Sequence, residues 1–228
     1  IQSNDNSRGQ FMGNIAHELR TPMTTIKGFV DGILDGTIPP DMQNHYLQLV
    51  SEETGRLARL IQNMLDLSKL ESGEYQVNAR MFNIWETLTG VALAAEQRIN
   101  DGMIELEGLT MDEKVLVYAD PDLIHQVAYN ILDNAIKYSA PGGRITVKIW
   151  QGEYKAFIEI IDQGRGIPPE DLENVKTKFY KGSNSVRGSG IGLALVDSIM
   201  TALDGTLDLK STLGRGTVVT LGLPIYKR

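Results

Sequence analysis

Apolar residues in the first third of the chain recur at helical steps. Phe11, Ile15, Leu19, Ile26, Val30 and Ile33 stand mostly three or four apart, with a gap at 22–23, and predict one helix over about 5–36. Asn4, Asp5 and Ser7 are its candidate N-caps. Pro22 is interior and should kink the helix, because it removes an N–H and crowds the preceding turn. The run Gly36-Thr37-Ile38-Pro39-Pro40 breaks the pattern, and Asp41 is placed to cap a second helix reaching about Leu70. There Tyr46, Val50, Glu53, Leu57, Leu60, Met64 and Leu67 alternate steps of three and four, a heptad-like seam. Two antiparallel helices make only half a core. The hairpin is therefore expected to dimerise into a four-helix bundle, the alternative being that it packs on the rest of its own chain.

The pattern changes after Glu71-Ser72-Gly73-Glu74, which reads as a hinge. This divides the chain into a helical domain over 1–72, a linker over 73–80 and a second domain over 81–228. A short strand is expected at Phe82–Ile84, then a helix to about Ile99 and a strand at Val115–Tyr118. Pro121 suits the first turn of a helix running through Tyr138. After the turn Ala140-Pro141-Gly142-Gly143, residues 144–150 and 155–161 alternate as a hairpin does. A helix over 190–203 and strands over 206–210 and 217–223 complete the chain. Helices on one side of a largely antiparallel sheet imply an α+β sandwich. The fold class is thus multidomain: a helical hairpin followed by an α+β sandwich.

Composition narrows the chemistry. There is no Cys, which excludes disulfides, thiolate metal sites and a Cys nucleophile, and suits a reducing compartment. The three His, at 17, 45 and 125, have no metal-ligand spacing. A net charge of −7 argues against nucleic acid as a partner. No apolar run approaches the roughly 20 residues that span a bilayer. No stretch reads as a signal peptide. The polar lead over 2–7 suggests a segment cut from a longer protein.

Four motifs carry candidate chemistry. In Asn14-Ile15-Ala16-His17-Glu18-Leu19-Arg20-Thr21-Pro22, His17 and Thr21 share a helix face, and the Glu18 carboxylate stands beside the imidazole. In Asn130-Ile131-Leu132-Asp133-Asn134-Ala135-Ile136-Lys137-Tyr138, Asn130, Asn134, Lys137 and Tyr138 fall on adjoining helix faces. Neutral amide oxygens suit Mg²⁺, which keeps waters and phosphates as its other ligands, and Lys137 can reach a phosphate. In Asp162-Gln163-Gly164-Arg165-Gly166-Ile167-Pro168, the glycines let backbone approach a ligand and Asp162 can accept a hydrogen bond from an exocyclic amine. In Gly188-Ser189-Gly190-Ile191-Gly192-Leu193, glycines lead into a helix N-terminus, where free N–H groups and the helix dipole favour an anion. The spacing is neither the dinucleotide fingerprint nor a P-loop. Taken singly, each motif also admits a plain structural role: a solvated helix edge, a Gly-rich turn, a surface histidine.

Their order is more telling. The four together resemble the sensor histidine kinases of two-component systems, whose catalytic part is similar to the ATP-binding module of gyrase, Hsp90 and MutL. The resemblance spans essentially the whole chain, including Gly214-Arg215-Gly216-Thr217 and Leu221-Gly222-Leu223-Pro224 near its end. It implies that His17 is the phospho-acceptor, with Glu18 as the adjacent acid–base residue and Thr21 serving dephosphorylation of a partner regulator. It implies that Asn134, with Asn130, holds Mg²⁺, that Lys137 meets phosphate and that Tyr138 lines the base pocket. Asp162 would read the adenine amino group, with Gly164, Gly166 and Ile167 shaping the pocket. Gly188, Gly190, Gly192 and Leu193 would border the triphosphate. Phe179 and Tyr180 would belong to the aromatic box before the lid over the nucleotide, and Lys181 and Arg187, at the ends of that lid, would contact phosphate. The chain departs from the family over 175–183: Phe179 and Tyr180 remain, but the first aromatic and the trailing acid are missing, and the lid over 181–187 is short. The resemblance further implies ATP and Mg²⁺ as cofactors, a homodimer, a response-regulator receiver domain as partner, and a cytoplasmic portion of a membrane-anchored bacterial sensor. A non-catalytic nucleotide-binding dimer and a gyrase-like ATPase are the rival readings.

Overall fold

In a computed structural model of the chain, the described residues are 2–109, 114–182 and 188–226, with side chains described from Gly13 onward. They divide into two compact units, Ile1–Leu65 and Asp66–Arg228.

The first unit holds two long helices, α1 (Gln2–Leu34) and most of α2 (Pro40–Ser72). α1 begins before Asn4, Asp5 and Ser7, so these lie inside it rather than capping it. It also continues through Pro22, which is buried. Proline costs the helix one N–H, so the carbonyl four residues back loses its usual donor. α2 opens on Pro40, whose fixed φ suits a first turn, and Asp41 follows inside the helix instead of capping it. All seven residues of the predicted seam are buried or half-buried, Leu60 and Met64 most fully within this unit. Phe29 and Tyr46 meet edge to face at 5.1 Å. A second apolar stripe on α2 remains exposed: Leu47, Ile61 and Leu65, with Met23 on α1.

The second unit starts with the last turns of α2, where Leu67 is 1% exposed and the Asp66 carboxylate accepts from Gln126 Nε2 at 3.0 Å. Gly73, at φ +72°, ends the helix, and the Lys69 carbonyl takes the N–H groups of Glu74 and Tyr75. A two-stranded antiparallel sheet follows, β1 (Arg80–Asn83) with β3 (Leu116–Ala119). The Asn83 side chain caps α3 (Ile84–Ala94), and the expected single helix divides at Ala95 before α4 (Glu96–Asp101). The main sheet is mixed, in the order β2 (Glu105–Glu107), β4 (Arg144–Gln151), β5 (Lys155–Asp162), β7 (Gly216–Pro224), β6 (Thr206–Thr212). Among the described residues, only the β2–β4 pairing is parallel. α5 (Pro121–Tyr138) packs on β5, flanked by α3 and by α7 (Gly192–Ala202). Its buried row is Leu123, Ile124, Val127, Ala128, Ile131, Leu132, Ala135 and Ile136. These meet the inward residues of β5, alternately Ala156, Ile158 and Ile160. On the other face of the sheet Trp150 stacks on Phe157 at 5.4 Å. β1 and β3 lie at the expected short strands, whereas β2 and the short α6 (Pro169–Leu172) do not follow from the sequence pattern.

Candidate nucleotide site and phospho-acceptor helix

On α1, His17 and Thr21 are exposed and Glu18 is half-buried, while Ile15, Leu19, Ile26 and Ile33 turn partly inward. Thr21 Oγ donates weakly to the His17 carbonyl at 3.4 Å. The imidazole thus projects outward from a helix wall whose other side is committed to packing.

In the second unit, strand periodicity fixes Asp162. It continues the inward row of β5, so its carboxylate is buried at the end of the strand, 9% exposed. Oδ1 accepts from the N–H of Gly164 at 2.8 Å and of Thr217 at 3.2 Å. Among the described residues, both of its hydrogen bonds go to that one oxygen, leaving Oδ2 to accept from a ligand. Burial raises the carboxyl pKa above its ordinary value, and the two N–H donors pull it back.

α5 carries the Asn box on the edges of its buried row. The Asp120 side chain caps it by accepting from Asp122 and Leu123 N–H, and its other oxygen accepts from Asn78 N–H at 2.8 Å. Asn130 Nδ2 donates to the Gln126 carbonyl at 2.8 Å, which turns Oδ1 outward. That oxygen lies 2.9 Å from where a Cβ on Gly192 would stand, so Gly192 touches the Asn box because it has no side chain. Asn134, Lys137 and Tyr138 are half-buried on the same side. Gly164 approaches from the other end, its absent Cβ only 2.5 Å from the Tyr138 carbonyl. Gly166, at φ +70°, presses still more closely on the Thr212 carbonyl, and Ile167 N–H donates to Ser211 Oγ at 2.8 Å. Motifs that lie far apart in sequence therefore meet at the C-terminal half of α5.

α7 has no side-chain N-cap, and its first helical bond is Leu195 N–H to the Ile191 carbonyl. The N–H groups before it point out of the helix beside Asn130, a ready anion site. Leu193 is half-buried there. Gly190, at φ +68°, accepts from Phe179 N–H at 2.8 Å, which ties the third motif to the segment before the lid. Phe179 itself holds φ +62°, unusual for a bulky residue. The Tyr180 hydroxyl donates to the buried Asp171 carboxylate at 2.5 Å, and this raises its pKa. Asp171 was not legible as a site residue; nothing in Pro168-Pro169-Glu170-Asp171 marks it. Lys181 is exposed and Gly188 half-buried, while Arg187 lies outside the described residues.

A metal would have to come with a ligand. Among the described residues, no group of three or more His, Asp or Glu could hold one alone. Two neutral amides are too few for bare Mg²⁺ but suit an ion already carried by a triphosphate. Among the described residues, no helix is long and apolar enough to cross a membrane.

Comparison with known proteins gives the same assignment from outside. Residues 7–73 match the His Kinase A (phospho-acceptor) domain, and residues 119–227 match the histidine kinase-, DNA gyrase B- and HSP90-like ATPase family. The sensor histidine kinase YclK of Bacillus subtilis is 35% identical over 99% of the chain, which spans 48% of YclK. The chain thus spans about half the length of that curated relative. The histidine kinase AdeS of Acinetobacter baumannii superposes with a TM-score of 0.77 at 28% identity, over 92% of this chain and 98% of that one. Histidine kinase ThkA, solved in complex with the response regulator protein TrrA, has the same fold at 24% identity, with a TM-score of 0.76 over 100% of this chain and 65% of its own. With an exposed histidine on the matched acceptor helix and glycine motifs gathered against α5 in the matched ATPase unit, the chain belongs to the sensor histidine kinases.

Proposed function

We propose that the chain transfers the γ-phosphoryl of MgATP to a ring nitrogen of His17 and then passes it to an Asp of a response-regulator receiver domain. One observation supports the nucleotide half of this reading: three motifs on different elements converge on the C-terminal half of α5, Asn130 against Gly192 and Tyr138 against Gly164, with Asp162 Oδ2 available beside them. Oδ2 would accept from the adenine amino group. The uncapped start of α7 and Lys137 would hold the phosphates, and Asn134 with Asn130 would ligate the Mg²⁺ bound to them. Phosphoryl transfer asks the protein mainly for positioning and charge neutralisation. Neutral imidazole would be the nucleophile, and the Glu18 carboxylate beside it would orient the ring and accept the proton released from the nitrogen.

The first unit would act as a homodimer. The exposed stripe of Leu47, Ile61 and Leu65 on α2 is what a four-helix bundle would cover. The boundaries 1–72, 73–80 and 81–228 give an acceptor domain, a linker and a catalytic domain. Two relatives extend the reading: YclK by its name as a sensor kinase, and ThkA by its regulator complex. By that analogy the receiver domain is the partner, nucleic acid is not, and the chain works on the cytoplasmic side of a membrane-anchored sensor. Thr21, one turn after His17 and exposed, would hold water for dephosphorylating the regulator.

Incubation with γ-labelled ATP tests the reaction class. Labelled protein supports the kinase. Bound ATP without transfer would favour a nucleotide-binding scaffold, and steady phosphate release without labelled protein would favour an ATPase.

A further inference from the structure

Arg165, between the two glycines of the Asp162 motif, has a place of its own. Arg165 lies with its guanidinium 4.5 Å from the centroid of the Tyr138 ring. Its backbone N–H donates to the Tyr138 carbonyl at 3.4 Å, and its charge is, after burial, the leading influence on the phenol's acidity, lowering a pKa that burial raises. The backbone beneath it is fixed on both sides. Its carbonyl accepts from Gly214 N–H at 2.6 Å, and Gly164 and Gly166 are pressed against the Tyr138 and Thr212 carbonyls with no room for a Cβ. The guanidinium is therefore delivered to the ring by a loop that cannot shift sideways. Lys137 Nζ stands 4.9 Å from the same centroid. A planar cation lying over an aromatic ring restricts it more than a lysine can.

We infer that Arg165 is a positioning residue for nucleotide binding: it fixes the Tyr138 ring as a wall of the base pocket. This rests on the proposed ATP site. Arg165 acts through Tyr138 and takes no part in phosphoryl transfer itself.

The test is a double-mutant cycle on the whole chain, read as KM for ATP, kcat of autophosphorylation and unfolding temperature. Arg165→Gln should raise KM about tenfold with little change in kcat or unfolding temperature. Arg165→Lys, which keeps a cation but loses the planar fork, should fall between. In a Tyr138→Ala background, Arg165→Gln should have almost no further effect on KM. An equal rise in KM in that background would mean that Arg165 contacts the nucleotide directly, and would overturn the inference. So would a wild-type KM in Arg165→Gln, or a lowered unfolding temperature that accounts for the loss. Failure of the wild type to bind MgATP in a calorimetric titration would instead defeat the site assignment, which is read separately and first.

Discussion

Replacing Asp162 with Asn separates two effects of one carboxylate. Burial raises its pKa in the folded protein, against the lowering by Gly164 and Thr217 N–H. A carboxyl that holds its proton more tightly when folded adds stability below its ordinary pKa, and that contribution is lost as pH rises through the raised value. At neutral pH the ionised group is thus a net cost to folding. Asn keeps an oxygen for the two N–H donors but presents an NH₂ where Oδ2 stood. Without ligand, Asp162→Asn should unfold at or above the wild-type temperature at neutral pH, and the gap should close as pH falls into the carboxylate range. ATP affinity should move the other way. A buried donor facing the adenine amino group costs about 1–3 kcal/mol, roughly 5- to 150-fold in Kd. The thermal stabilisation by saturating MgATP should shrink accordingly. Wild-type affinity should itself drop as acid protonates Asp162, and GTP, with a carbonyl at that position, should bind poorly. Calorimetric titration and thermal unfolding on the same samples measure both effects. ATP binding within twofold of wild type, or a ligand-free variant several degrees less stable, would refute the reasoning.

Three further outcomes are expected. Asn134→Ala should cut the initial Mg²⁺-dependent labelling rate at saturating MgATP at least tenfold with the unfolding temperature little changed, and an unchanged rate would make the Asn box structural. Thr21→Ala should keep most autophosphorylation and slow loss of phosphate from a purified phospho-regulator about tenfold, some 1.4 kcal/mol of barrier; decay as fast as with wild type would remove the hydroxyl from the reaction. Ile61→Glu with Leu65→Glu should dissociate the dimer in light scattering, because charges buried in a bundle core are costly, and an unchanged mass would move the dimer interface elsewhere.

Much of this was legible because local rules and tertiary structure agree. The Pro121 start and Tyr138 end of α5 are as expected, since Asp120 caps it and its apolar period matches the sheet it covers. The seam of α2 is buried as its spacing requires. The misses have local causes as well. α1 outruns its candidate caps, because Asn, Asp and Ser are tolerated inside a helix that continues on either side. β2 is only three residues long, too short for alternation to register, and is fixed by a distant partner strand. In the site, the four motifs were visible as residue types at fixed spacing. Asp171 and the Arg165–Tyr138 stack were not, because both depend on which loops fold against each other.

The central claim is that His17 receives phosphate from ATP bound in the second unit. The most direct measurement maps the phosphorylated residue after brief incubation with γ-labelled MgATP, alongside His17→Gln. The account predicts label that is acid-labile and base-stable, located on His17, and absent from a His17→Gln protein that still binds ATP with wild-type affinity. Label on His45 or His125, or label that persists in His17→Gln, would contradict it.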